Sequence, residues 1–531
     1  WLVVIANKQP LTWKGHVNGV WDIGDTANWN DSTGSPVAYN EVAVAGVTVG
    51  DSVVFDDSAN ALSPVITLDS AVIPASVTVN ITKNYVITGS GGIGGTNSFY
   101  KSGTGSFTLG TTNSYTGTTT VPRGTLIARA YSPNGAPGAF GNATNAIVFG
   151  GVDSTPALYI GGPYTISRPV YVADNNAFGD YANGVGGNTD ANSTFSGLIT
   201  LNNNYKAYIS QTAPTTGANA LNITGGITGN NRTFYFSGQG SINISGNGIT
   251  TGSGAVGVIW GASIKLTLAS ASSFTGGFTL YPLAPSIVIA KNNLAFGTGA
   301  VDLYDRIGPD GRTPQGELWI DGSEGNLTIP ATPITLRTTS TAALRNVAGT
   351  NTLSGTIVVP SLATRISIDG GALTLTGGMT LSAATTVGGI GNMTVSGTKI
   401  TGTSSLTKDG NGVLTLSADN DYTGTTTLNA GALNLTGNHT GTGALTINGG
   451  TMVISGGSGA IASAAGITIG GGGALTLDNT VENNGNRLKD SGNFTMNGGV
   501  FNFNINTNSG TFGETAGALV VGSGANVINC Q

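Results

Sequence analysis

Only 20 basic and 26 acidic side chains, two histidines and one cysteine occur in 531 residues, which removes most of the usual chemistry of proteins. Cys530 stands next to the last residue, so no internal disulfide can form. In a stack of coils of roughly 20 residues and about 4.8 Å each, His16 and His439 would lie on the order of 100 Å apart and could not share a metal or a catalytic triad, and without cysteine ligands a structural zinc site is excluded. The few lysines and arginines are scattered, which excludes the clustered basic surface that nucleic acid requires. No apolar stretch approaches the roughly 18 residues of a membrane helix, so no transmembrane segment is expected. The opening "WLVVIA" (Trp1 to Ala6) is too short for the core of a signal peptide and has no basic residue before it. A chain that starts with Trp rather than Met is expected to have lost a leader.

What is abundant is glycine, 86 residues and roughly twice ordinary usage, together with Thr, Asn, Ser, Val and Ile. These favour strands and turns over helices, so the chain reads as all-β. With 39% hydrophobic residues in short alternating runs it is not disordered. "VTVNITKNYVITGSGGIGG" (Val77 to Gly95), "GTKITGTSSLTKDGNGVLTLS" (Gly397 to Ser417) and "GALTINGGTMVISGGSGAI" (Gly443 to Ile461) each read as short strands separated by Gly-rich pauses. Alternation sends one face into a core, and glycine supplies the positive φ of sharp corners. A sandwich or a meander of hairpins would share this rhythm. Its recurrence well beyond the length of one sandwich favours a right-handed parallel β-helix, or β-solenoid, built from stacked coils.

A coarser recurrence overlies the fine one. "SYTGTTT" around Tyr115 returns as "DYTGTTT" around Tyr422, with "SFTGGFT" around Phe274 between them. Further landmarks (Phe140 with Phe296, Phe195 with Leu353, Leu221 with Leu373) keep the same order at nearly the same spacing. The expected organisation is an N-terminal cap and first coils over 1–98, repeat units over 99–259 and 260–405, and a shortened third unit with terminal strands over 406–531. "FYKSGTGSFTLGTTNSYTGTTTVPRGTL" and "LTKDGNGVLTLSADNDYTGTTTLNAGAL" resemble the autotransporter-associated β-strand repeat, in which Leu-x-Lys-x-Gly-x-Gly-x-Leu-x-Leu leads to Asn-x-Tyr-x-Gly-x-Thr and then Gly-x-Leu. The opening "LTWKGHVNGVWDIGDTANWND" is similar to the start of large secreted proteins carrying that repeat. The resemblance implies an exported, extracellular protein of the bacterial surface with no common enzymatic activity. Autotransporters of this kind end in an outer-membrane barrel; "GANVINCQ" closes this sequence without one, so the expectation is either that the barrel has been cleaved away or that export uses another route.

Tyr115, Phe274 and Tyr422 are expected to fill coil corners; the other reading is an aromatic platform for sugar rings. Trp13, Trp21 and Trp29 lie in the least repetitive stretch and are expected to cap the first coil, with a carbohydrate site as the alternative. Asp302, Asp305 and Asp310 fall in the most charged stretch, read as a solvated loop and a weak candidate for Ca²⁺. No cofactor is otherwise expected. "KDGNG" (Lys408 to Gly412) reads as a tight turn. Asp56 and Asp57 are adjacent, and a strand would point them to opposite faces, away from paired acid/base chemistry.

These readings favour a structural or adhesive surface protein, not an enzyme, with surface glycans as one class of partner. Leu2, Val3, Val4 and Ile5 in the opening segment and the alternating C-terminal strands look like unpaired edges, so head-to-tail self-association into a homopolymer is expected. The alternative is a polysaccharide-binding or polysaccharide-degrading β-helix of the pectate-lyase-like kind, which would need carboxylates or a metal gathered on neighbouring coils.

Overall fold

The computed structural model describes residues 10–44, 46–150, 156–173, 184–202, 207–259, 262–282, 284–303, 316–338, 341–506 and 513–531. Every regular element among them is a strand, most of three to five residues. The chain divides into two compact units, Trp1–Thr275 and Gly276–Gln531.

In the first unit the strands form parallel stacks, each pairing in register with its counterpart one coil later. Val53, Val77, Phe99 and Thr119 make one such column, and Tyr85, Phe107, Leu126 and Leu158 another. Alternate residues of each strand point inward, so one buried column of Val, Ile, Leu and Phe runs through each stack. The second unit repeats the plan. Its inner columns include Leu373, Met393, Leu414, Leu433, Met452, Leu475 and Phe501. This is a β-solenoid, as the strand and glycine pattern predicts.

The opening coil departs from that plan. Leu11–Trp13 pairs antiparallel with Trp29–Asn30, which pairs antiparallel with Pro36–Val37, and Glu41–Val44 forms a hairpin with Val47–Gly50. Inside this ribbon Trp13, Trp21 and Trp29 are buried. Trp29 meets Trp13 and Trp21 edge-on at 5.0 and 5.1 Å, and Trp21 meets Tyr39 at 5.4 Å. Asn28 holds the intervening loop, accepting from the amides of Val17 and Asn18 and donating to Asn18 Oδ1 and the Val20 carbonyl.

In the last described coil, Leu519 and Val521 continue the inner column of Phe494 and Met496, and Ile528 and Cys530 continue that of Phe501 and Phe503. These four core-facing side chains are solvent-exposed.

Candidate functional site

The residues that the two Tyr-Thr-Gly phrases have in common converge on two coil corners built alike. At the first, Lys101 follows Val79 in an inner column, where an apolar side chain would be expected. It is fully buried, and its Nζ donates to the carbonyls of Ser102 (2.8 Å), Gly103 (2.9 Å) and, from the next coil, Arg123 (3.2 Å). At the second, Lys408 stands in register with Val387 and Leu428. Its Nζ donates to Asp409 (2.6 Å), Gly410 (2.8 Å) and Ala430 (3.3 Å), the same three positions of the phrase. Of these carbonyls, that of Ser102 also accepts the Ile81 amide at 3.4 Å, and at each corner one ammonium reaches all three. Burial pushes Lys101 down to about 8 and lowers Lys408 too. Glycine is obligatory beneath each lysine. Gly124 and Gly431 adopt φ of +73° and +74°, and a Cβ there would sit 2.7 and 2.9 Å from Nζ of Lys101 and Lys408.

The aromatic half of the phrase is equally consistent. Asn113 Oδ1 accepts the amide of Ile93 (2.9 Å) and Asn420 Oδ1 that of Ile400 (2.8 Å), tying each corner to the coil before it. Two residues on, Tyr115 and Tyr422 are buried, and their hydroxyls share hydrogen bonds with Thr119 Oγ1 (2.9 Å) and Thr426 Oγ1 (2.6 Å). Arg168, also buried, reaches the first corner and donates to Thr119 Oγ1 and to the carbonyls of Phe140 and Asn145. Phe274 is buried as well. Ser272 takes the asparagine's place there and accepts the amide of Ile249 (3.2 Å). None of these three rings presents a face to solvent.

Arg487 collects carbonyls in the same way, donating to Gly456, Gly459, Asp478 and Glu482. Four cations of a chain that has only 20 are thus buried to satisfy backbone. Sequence reasoning missed them. The signal was a lysine 14 residues before each repeat tyrosine, at a position whose alternation already pointed inward.

Outward positions divide into two kinds. In the second unit, arginines pair with carboxylates. Arg345 meets Glu317 and Asp369, each at 2.9 Å, and Arg365 grips Asp409 with two bonds of 2.7 and 2.8 Å. Trp319 Nε1 donates to Glu317 (2.9 Å). Asp302 faces Arg337 at 3.5 Å, while Asp305 and Asp310 lie outside the described residues, as do Leu2, Val3, Val4 and Ile5. No group of three or more His, Cys, Asp or Glu suited to a metal occurs among the described residues. Asp57 is bound to Thr82 and Lys83 of the next coil, and Asp56 to Ser58. The other outward kind is a hydroxyl column. Thr386, Thr407, Thr427, Thr446, Thr468 and Thr495 stand in register on six successive coils, and Thr352, Thr374, Thr394 and Thr415 on four. Stacked strands set the step of each column at about 4.8 Å.

The passenger-associated-transport-repeat family matches the chain at residues 99–128, 406–435 and 430–454, the first two being the segments that carry the lysine, asparagine and tyrosine of these corners. No curated protein and no solved structure matches the chain. The chain therefore carries the passenger-associated-transport repeat in these three segments of a β-solenoid, and in the first two the repeat builds the coil corners.

Proposed function

We propose that the chain is the structural, passenger-like part of a secreted or surface-exposed bacterial protein, in which the solenoid is a stiff spacer with a repetitive surface. The observation that carries this reading is where the reactive groups go. The buried lysines, arginines and corner tyrosines are consumed by backbone and hydroxyl partners, while the outer columns offer threonine in register. Most outward carboxylates of the second unit are neutralised by arginine or lysine, which leaves little for acid/base chemistry. Antibody labelling of intact producing cells, beside permeabilised ones, tests the location. Surface signal is expected, and signal only after permeabilisation overturns the reading.

The finer role is adhesion or head-to-tail assembly. Support for assembly comes from the exposed core-facing row Leu519, Val521 and Ile528, onto which a strand of a second copy can add. The aliphatic segment Trp1 to Ala6 is the proposed donor. Sedimentation of the chain over a wide concentration range is expected to show association that is lost in Val521→Lys and in a variant lacking residues 1–6. A monomer at every concentration removes the homopolymer and leaves the spacer, and association untouched by both changes removes the terminal-strand contact.

A further inference from the structure

With the corner aromatics and the Trp cluster buried, any sugar-facing aromatic must lie elsewhere, and the first unit holds one such group. Strand Thr125–Ala128 continues outward through Arg129 and Tyr131, both exposed, and the coil above brings Gly161, Gly162 and Tyr164 against them. The stem and Nε of Arg129 lie 3.2 and 3.3 Å from where a Cβ on Gly161 would be, and the Tyr164 ring lies 2.6 Å from the corresponding point on Gly162. Gly161 thus leaves room for the Arg129 side chain, and Gly162, the next residue, for the Tyr164 ring. Tyr131 stands on Tyr164 edge to face, with centroids 5.5 Å apart and planes at 87°, and keeps 58% of its surface in solvent. Arg129 has no hydrogen bond or ion pair from its guanidinium among the described residues, whereas Arg337, Arg345 and Arg365 each hold a carboxylate.

We infer that Arg129, Tyr131 and Tyr164 form a shallow binding shelf for an acidic polysaccharide, one carboxylate-bearing sugar residue at a time. The propped ring of Tyr131 offers a flat face to the apolar side of a sugar ring, at little cost in conformational freedom because Tyr164 already holds it. The planar fork of Arg129 matches a carboxylate with two parallel bonds, and a lysine would not. Three side chains cover far less than the roughly 800 Å² per partner of a stable protein interface, so an individual sugar of a polymer suits the shelf better than a folded protein. Weak single sites gain strength when a polymer meets many copies of the chain.

This shelf deepens the surface reading by naming a ligand class, and its test uses the purified full chain, so it stands or falls apart from where the protein resides. Calorimetric titration with a galacturonate oligomer, in the presence of a chelator, is compared with the same oligomer after carboxyl reduction. The native oligomer is expected to bind at least about tenfold more tightly than the reduced one. Tyr131→Ala should weaken both by about tenfold, with circular dichroism unchanged because the side chain lies outside the core. Arg129→Gln should erase the difference between the two oligomers while leaving the reduced one unaffected. An Arg129→Gln chain that still prefers the acid form, a Tyr131→Ala chain that binds as well as the parent, or a parent that binds neither oligomer at millimolar concentration would each overturn the assignment.

Discussion

The corner at Tyr422 and the corner stacked upon it at His439 both lie in segments matched by the repeat, yet they close differently. Tyr422 ends its ring in a hydroxyl that Thr426 satisfies. His439 lies over it at 4.4 Å between centroids, and its Nδ1 bonds the Asn420 carbonyl at 3.1 Å. A carbonyl only accepts, so Nδ1 carries the proton and the buried Nε2 is a bare nitrogen, without a hydrogen-bond partner among the described residues. The backbone leaves no room to adjust, since a Cβ on Gly441 would sit 1.9 Å from the Tyr422 carbonyl and 2.7 Å from His439 Cε1. One corner therefore has its polar atoms paired, and its neighbour carries a titratable group that cannot accept a charge cheaply. A repeat fixes the shape of a corner, and the residue at the aromatic place decides how well that corner tolerates its surroundings.

The largest change should come from emptying the better corner. Tyr422→Ala removes a fully buried ring and is expected to destabilise its unit by about 3–5 kcal/mol. Because each coil contacts only its neighbours, hydrogen exchange should accelerate around Thr426–Leu428 before distant coils respond. Uniform protection in the variant would mean that the ring is not a local support.

Next in size, Lys408→Met strands the carbonyls of Asp409, Gly410 and Ala430. Each orphaned acceptor costs about 1–3 kcal/mol, offset by no longer burying a charge, so a net loss of about 2–3 kcal/mol is expected in denaturant unfolding. A neutral outcome would show that water reaches those carbonyls.

A smaller effect separates the hydroxyl from the ring. Thr426→Val leaves the Tyr422 hydroxyl unpaired and should cost about 1 kcal/mol, while adding Tyr422→Phe should return the double variant to within about 0.5 kcal/mol of the parent, since removing both partners leaves nothing unsatisfied. Equal losses in the single and double variants would assign the cost to packing.

The subtlest test concerns pH. Burial lowers the pKa of His439 below the ordinary histidine value of 6.5. The unfolded chain then binds a proton that the folded chain refuses, so this contribution to stability is complete above pH 6.5 and is lost as pH falls from there through the folded value. Melting temperature should decline across that window in the parent and stay flatter in His439→Gln. Matching slopes would place the acid sensitivity elsewhere.

How far the sequence could be read differs from residue to residue. Tyr115, Phe274 and Tyr422 were legible as corner fillers, because an aromatic beside Gly at the end of an alternating run has an apolar space to occupy. The turn at Lys408 to Gly412 was legible too, and Gly410 takes the positive φ it calls for, +67°. The destination of Lys408 was not. A lysine beside glycines reads as solvated, and its third carbonyl, that of Ala430, belongs to the next coil. The aromatic Trp cluster could be placed at the first coil, but its antiparallel ribbon could not, since the loop that first reverses it depends on the Asn28 bonds to Val17, Asn18 and Val20.

Sequence by itself determined the all-β class, the stacked coils and the corners, because alternation, glycine and a repeated phrase are local signals whose physical cause lies within a few residues. Tertiary structure alone decided which cations are buried, which oxygen or nitrogen atoms find partners, and that Arg129, Tyr131 and Tyr164 share one shelf. Those facts depend on register between coils some 20 to 30 residues apart, where a side chain meets neighbours that no stretch of sequence places beside it.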